Sequence, residues 1–301
     1  MATNYIRFVN AYFNMCAGRM FLKKEISKKK KIRRLILCVM VALLLIVACD
    51  LRLRTVVYHI ESDKVDEAIR VCLITDLHAC RYGKKQHTLT DAVDRQNPDI
   101  VLLGGDIFDD RLSYDRAEMT IRYLAEHYKC YYVTGNHEYW SKDIDTIVGI
   151  VESYGITVLS GMCDTIEVNG RKINVCGIDD PDVVVYTKDG RETEQQLADA
   201  MSDIDKDAYT ILLAHRPELI DTYRNYPVDL VLSGHAHGGQ WRIPVVLNGL
   251  YAPNQGMFPE YAGGRYDFEE TTMIVSRGLA RESLPVPRVF NRPELVIVEI
   301  E

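Results

Sequence analysis

Five times along this chain a short apolar run breaks off at a turn and hands over at once to a carboxylate, an amide or an imidazole. Val71-Cys72-Leu73-Ile74-Thr75 leads into Asp76-Leu77-His78, and Asp99-Ile100-Val101-Leu102-Leu103 into Gly104-Gly105-Asp106. Residues 130–134 lead into Gly135-Asn136-His137-Glu138, residues 209–214 into His215, and residues 228–232 into Ser233-Gly234-His235-Ala236-His237. Runs of this length, rich in β-branched residues and Leu, read as buried strands entering loops. Two histidines at i and i+2 of extended chain leave it on the same side. One such pair is an ordinary turn; five strand ends carrying the same kind of side chain are not.

Polar amphipathic stretches at about Gln86–Gln96, Tyr114–His127 and Asp143–Tyr154 separate the first runs. Three successive βα units predict parallel strands with a site beyond their C-terminal ends. Thr55–Ile60 reads as a strand ahead of them. The second half is richer in strand: Thr165–Val168 and Lys172–Cys176 flank Asn169-Gly170, a two-residue hairpin signal. A helix at Thr193–Met201 and strands at Thr272–Ser276 and Leu295–Ile300 complete an α/β (α+β) pattern. With 301 residues and 47% hydrophobic content, the chain sustains one large or two ordinary domains.

Its start differs from the rest. Residues 1–54 carry twelve Lys/Arg against Glu25 and Asp50, a balance of +10; since the whole is −7, the remainder holds −17. So acidic a body is a poor nucleic-acid surface, which needs a basic stripe. Residues 1–34 read as a basic cytoplasmic tail, with Met1 and Met20 both open as starts, so that 1–19 need not be translated. Residues 35–54 read as a membrane anchor. Leu35–Cys49 is uncharged and short of the ~20 residues a span needs, but Ile32 and Leu51–Leu53 lengthen it. The lysine flank places the tail inside and the body outside the membrane. A cleaved signal segment, acylation at Cys49 and a twin-arginine signal at Arg33-Arg34 are alternatives, and all put the body on the far side. The eight cysteines show no C-x-x-C spacing and no pairable framework; Cys72 and Cys176 read as buried thiols.

The strand-end set consists of nitrogen and oxygen donors without thiolate. Loop-borne donors of this kind suit two divalent ions, Mn²⁺, Fe or Zn²⁺, in a catalytic rather than a structural site. Paired ions about 3.5–4 Å apart need a shared carboxylate. Such a pair lowers the pKa of water and draws an anionic phosphoryl group into an acidic body.

The blocks Asp-x-His, Gly-Asp, Gly-Asn-His-Glu, His and Gly-His-x-His, in this order from residue 55 to 301, resemble the calcineurin-like metallophosphoesterase superfamily. The likeness implies a four-layer α-β-β-α sandwich over residues 55–301. It also implies one metal on Asp76, His78, Asp106 and His237, a second on Asp106, Asn136, His215 and His235, and Asp106 as the bridge. His137 would be catalytic, protonating the leaving oxygen or stabilising charge in the transition state, with a neighbouring acid, Asp109 or Glu138, orienting its ring. The expected reaction is hydrolysis of a phosphate mono- or diester or pyrophosphate bond by a hydroxide shared between the ions. The basic segment, the apolar stretch and the tail through Arg277-Gly278-Leu279 and Arg292-Pro293-Glu294 are similar to the membrane-attached bacterial branch, some of whose members are described as hydrolases of UDP-2,3-diacylglucosamine. That lipid-linked nucleotide sugar is made in the cytosol, whereas the charge flank puts this body outside, so either the orientation is inverted or, as favoured here, the substrate is another small or lipid-linked phosphate at the bilayer surface. A catalytically inactive scaffold of the same fold and a metal-dependent nuclease are the rival functions; the complete donor set disfavours the first and the acidic body the second. Arg277, Arg281 and Arg288 are candidate phosphate contacts or structural braces. Tyr251, Phe258 and Tyr261 are a candidate lip for a sugar, base or acyl chain. His59, His87 and His127 read as surface or core histidines.

Overall fold

A computed structural model of the chain describes residues 28–281 and 286–301. The chain divides into an N-terminal unit ending at Ala48 and a second unit, Cys49–Glu301. In the first, residues 28–48 form helix α1, whose large apolar side chains from Ile32 to Val47 are exposed. Among the described residues no helix is long and apolar enough to cross a membrane. The expected span over 35–54 therefore lacks support. The helix begins inside the lysine block, stops at residue 48, and leaves residues 50–53 outside any helix. Its uncharged part, residues 35–48, rises about 21 Å at 1.5 Å per residue, against about 30 Å of hydrocarbon. The choice between Met1 and Met20, and the tail before residue 28, lie outside the described residues.

The second unit opens with strands β1 (Arg54–Ile60) and β2 (Ile69–Ile74), helix α2 (His87–Asp94) and β3 (Ile100–Gly104). Next come α3 (Asp115–His127), β4 (Lys129–Val133), α4 (Asn136–Trp140), α5 (Ile144–Ser153) and the short β5 (Thr157–Val158). A hairpin of β6 (Met162–Val168) and β7 (Arg171–Gly177) is followed by α6 (Val183–Tyr186), α7 (Thr193–Ala200), β8 (Tyr209–Leu213), α8 (Ile220–Tyr223) and β9 (Leu230–Ser233). Then β10 (Tyr251–Ala252), β11 (Gly256–Met257), β12 (Gly264–Asp267), β13 (Thr272–Val275) and β14 (Glu294–Ile300) complete the chain.

Two six-stranded sheets result, ordered β1-β14-β2-β3-β4-β5 and β12-β13-β9-β8-β7-β6. In each the central strands are parallel, β2 with β3 and β4, and β7 with β8 and β9. The C-terminal β14 wedges between β1 and β2, antiparallel to β2. Period-two alternation sorts the apolar side chains. Val71, Leu73, Leu102 and Val296 of one sheet pack with Val175, Ile211, Leu213 and Leu232 of the other. Cys72, Ile74, Val101 and Leu103 turn outward under Leu89 and Val93 of α2, Ile121 and Leu124 of α3, and Ile147 and Val151 of α5. Leu212, Val231 and Met273 meet Leu197 of α7 and Tyr223 of α8. Helices thus cover the outer face of both sheets, a mixed α/β fold with parallel and antiparallel strands. Each buried Leu, Ile or Val contributes about 1.5–3 kcal/mol.

The β6–β7 hairpin turns at Asn169 and Gly170, both left-handed (φ 51° and 76°), the geometry a two-residue turn demands. One expectation fails here. Cys176 is not a free thiol but forms a disulfide with Cys163. The register sets Cys163 directly opposite Cys176 on the neighbouring strand, a pairing that no spacing rule on the isolated sequence picks out.

Candidate metal centre

The loops that leave β2 and β3, and those that leave β8 and β9, are laced in pairs by backbone bonds. Asp76 N–H donates to the carbonyl of Gly105 (3.0 Å), His78 N–H to that of Asp106 (2.9 Å), and Gly234 N–H to that of His215 (3.1 Å). Carboxylates finish the lacing. Asp76 Oδ1 accepts the His235 N–H and Asp106 Oδ1 the His137 N–H, each at 2.9 Å. Both sheets therefore bring their strand ends to one place. Asp76, His78, Asp106, His235 and His237 all sit at positive φ, between 48° and 64°, a region side chains other than glycine seldom occupy and hold only where the surroundings over-determine it. Gly105 turns beside them at φ 85°, where an added Cβ would lie 2.7 Å from His215 Nδ1.

Two donor groups result. One ligand atom each from Asp76, His78, Asp106 and His237 falls within 4.8 Å of the others, and so do atoms from Asp106, His215 and His235. Asp106 is common to both. Its Oδ2 lies 3.2 Å from His215 Nε2 and 3.6 Å from His78 Nε2. Asn136 is buried one residue before His137. A third grouping, His78 with Asp109 and His137, contains one hydrogen bond, between His78 and Asp109.

The fit to metal ions is tested by what these atoms do otherwise. Asp76 Oδ2, His78 Nε2, Asp106 Oδ2, Asn136 Oδ1, His215 Nε2 and His237 Nδ1 are all buried without a hydrogen-bond partner. One such orphan costs about 1–3 kcal/mol, so six in one cluster require a common partner. The opposite ring nitrogens are satisfied: His78 Nδ1 by Asp109 Oδ2 at 3.0 Å, His215 Nδ1 by the Gly104 carbonyl at 2.8 Å, and His235 Nε2 by Asn254 Oδ1 at 2.9 Å. An acceptor on the far nitrogen fixes the tautomer and turns the free lone pair inward, as metal-ligating histidines require. The donor set fits divalent cations.

Charge distribution agrees. Burial opposes the imidazolium of His78, but its bond to Asp109 and the nearby Asp106 and Asp76 outweigh that and push it up to about 9. Burial likewise opposes charge on His215, yet Asp106 lifts it to about 10. Burial raises the Asp76 carboxyl. Asp106 is held well below the carboxylate range, because His215 and His137 overcome the effect of its burial. His235 and His237 are driven far down, by burial and then by Arg216 and His78 respectively, and stay neutral. Two carboxylates are thus balanced by protons that cations can replace.

Around this centre the structure assigns partners that differ from the expected ones. His137 Nδ1 is 2.7 Å from Asp110 Oδ1 and 3.9 Å from Asp109, so Asp110 orients the ring. Asp109 orients His78 instead. Glu138 is fully buried and braces the loop: it accepts the backbone N–H groups of Asp106, Ile107, Phe108 and Gly135 at 2.8–3.0 Å and the Tyr132 hydroxyl at 2.8 Å. The His137 ring stands edge-on to His78, centroids 4.4 Å apart, and 4.7 Å from that of Trp140. Asn254 and Arg216 carried no signal in the sequence. Arg216 Nη1 donates to Asn254 Oδ1 (2.7 Å) while the same guanidinium is held by Asp180. Only the fold brings the loop between β10 and β11 against His235.

The other candidates lie elsewhere. Arg288 is buried and donates to the carbonyls of Ala280 and Gly278, Arg281 covers the Tyr82 ring, and Arg277 faces Glu294; all three brace the loops near the centre. Tyr251 and Phe258 are exposed, whereas Tyr261 packs on Tyr266. His59 pairs with Glu299, His127 stacks on Tyr123, and His87 is exposed.

Residues 69–239 match the family model described as calcineurin-like phosphoesterase. The chain is 30% identical over 229 residues to an uncharacterised metallophosphoesterase of Helicobacter pylori, covering 74% of this chain and 58% of that one. It is 30% identical over 241 residues to the phosphodiesterase YaeI of Escherichia coli, covering 77% and 82%. It is 28% identical over 242 residues to a bovine transmembrane protein with metallophosphoesterase domain, covering 76% and 52%. The chain thus spans little more than half the length of the Helicobacter and bovine relatives.

Proposed function

The chain belongs to the calcineurin-like phosphoesterase family, and on that premise we propose that it is a metal-dependent hydrolase of phosphate esters or anhydrides. The observation that carries this reading is the position of Asp106, whose carboxylate belongs to both donor groups. Asp76, His78, Asp106 and His237 would hold one divalent ion, and Asp106, Asn136, His215 and His235 the other. When bound, such ions supply Lewis-acid charge and lower the pKa of attached water towards ~7. The protein's own part is positioning and proton transfer. Asp110 fixes His137 through Nδ1 and leaves Nε2 to deliver a proton to the departing oxygen, a contribution of about 10²–10⁴. Trp140, 40% exposed and anchored through Nε1 to Asp182 Oδ2 (2.6 Å), walls one side of that imidazole.

The test is hydrolysis of bis-p-nitrophenyl phosphate, p-nitrophenyl phosphate, nucleotides, UDP-sugars and single-stranded DNA by the purified chain with Mn²⁺, Fe²⁺ or Zn²⁺, before and after chelation. Chelator-sensitive cleavage of a small ester, lost in Asp106→Asn, is expected. A protein that binds no transition metal, or an Asp106→Asn variant that keeps most activity, rejects the proposal. Cleavage confined to DNA would favour the nuclease instead.

For the N-terminal unit we propose attachment to the cell membrane, with the lysine-rich end cytoplasmic and the acidic body outside. The exposed apolar side chains of α1 and the transmembrane description of the bovine relative support it. Protease protection in spheroplasts tests it, since a body shielded from external protease reverses the orientation.

A further inference from the structure

A face of the catalytic unit that the metal centre does not use combines cations with exposed apolar chain. Arg54, Arg242 and Arg277 line a cavity of about 440 Å³ with Ile243, Val245 and Val246. Arg242 and Arg277 share one carboxylate, Glu294, whose Oε2 lies 3.4 Å from Arg277 Nε, a buried nitrogen without a hydrogen-bond partner. Arg242 is buried and brought down to about 10 by that burial and by the charge of Arg277. An anion in the cavity would relieve both.

The apolar half is the loop after Gly239. Ile243 and Leu247 pair backbone to backbone, which throws Val245 and Val246 outward, Val245 fully into solvent. Val245 is held at φ 69°, a strained conformation for a β-branched residue. Trp241 turns its Nε1 inward to the Pro287 carbonyl (2.9 Å) and leaves its ring 44% exposed, beside an exposed Val286. Single exposed apolar residues need no explanation, but a contiguous patch does. A ring with its polar edge satisfied and its apolar body outward suits the interface of a bilayer.

We propose that this face docks on an anionic bilayer, the 241–247 loop entering the interface while Arg54, Arg242 and Arg277 receive a lipid phosphate. Charge makes the contact directional. The body beyond residue 54 carries −17, so its other faces are repelled by anionic headgroups, whereas guanidinium groups bind phosphate with paired hydrogen bonds. The docked loop continues from the segment carrying His237, and Arg242 Nη1 donates to the Gly238 carbonyl (3.2 Å). Membrane contact and metal centre therefore share one stretch of chain. The proposal stands apart from the N-terminal attachment and from the hydrolase reading.

The chain has two tryptophans, so full-length Trp140→Phe leaves Trp241 as sole reporter. Mixed with phosphatidylglycerol vesicles, it should show a blue-shifted emission that lipids brominated on the acyl chain quench and iodide does not. The effect should weaken in phosphatidylcholine vesicles and in Arg54→Glu, and vanish in Val246→Asp, two exposed positions whose circular dichroism should stay unchanged. Emission that remains open to iodide and untouched by brominated lipid overturns the proposal. So does a blue shift without vesicles that grows with protein concentration, which would make a second copy the occupant. Quenching that is equal in both lipids and indifferent to Arg54→Glu overturns the phosphate contact.

Discussion

His137 is oriented by Asp110: the imidazole Nδ1 and the carboxylate Oδ1 lie 2.7 Å apart, at the only imidazole of the centre whose side chain retains 14% exposure. The neighbouring Asp109 serves a different ring, His78. Under the proposed function, two adjacent acids divide between orienting the proton-transferring ring and supporting a metal ligand.

This division predicts separable phenotypes. Asp110→Asn should lower kcat roughly 10- to 100-fold, the range for loss of an orienting partner, with metal content near normal and the pH–rate profile altered. Asp109→Asn should instead weaken metal binding by a similar factor. Metal analysis of both variants beside their kinetics checks this; equal metal loss in the two would remove the assignment of separate roles.

Glu138 is the brace of the Asp106 loop. Each Glu138 carboxylate oxygen accepts two backbone N–H groups, so Glu138→Gln sets an amide NH₂ against two donors, and breaking so buried a network costs about 3 kcal/mol or more. In a domain of this size that is roughly a 10 °C fall in Tm. Thermal unfolding measures it, and a shift under a degree or two would mean that the loop is held by other contacts.

Asn254 presents its amide oxygen to both His235 and Arg216. Asn254→Ala removes the acceptor that fixes the His235 tautomer, so one metal should bind about 10- to 100-fold more weakly while the second is retained. Titration calorimetry resolving two sites is the check. Unchanged affinity at both would show that His235 is held without Asn254.

The metal-free protein has a signed pH dependence. His78 and His215, raised in the fold to about 9 and about 10, return to about 6.5 when unfolded. A histidine raised on folding contributes stability that is complete below about pH 6.5 and lost as pH climbs through the folded value. Chelated protein should therefore lose Tm between pH 6.5 and about 10. Metal requires the neutral rings, so binding releases protons and tightens over the same interval. The Tm gap between loaded and chelated protein should widen as pH rises; a constant gap contradicts the proton exchange.

Much of this molecule is decided within short windows of chain. The runs before Asp76, Asp106, Asn136, His215 and His235 are β-branched and leucine-rich and end at Gly or Ser or pass straight into a polar residue, so strand and loop follow from local sterics and burial. Asn169-Gly170 dictates its hairpin for the same reason. The types of donor, and their place at strand ends, are properties of the sequence alone. Pairing depends on sheet order and register, which no window contains. Only the assembled sheets set Cys163 opposite Cys176, insert β14 between β1 and β2, bring Asn254 to His235, and turn Asp109 to one imidazole and Asp110 to another. Side-chain hydrogen bonds are decided over a few ångströms, while the residues that make them can be far apart in the chain, 159 positions for Asp76 and His235.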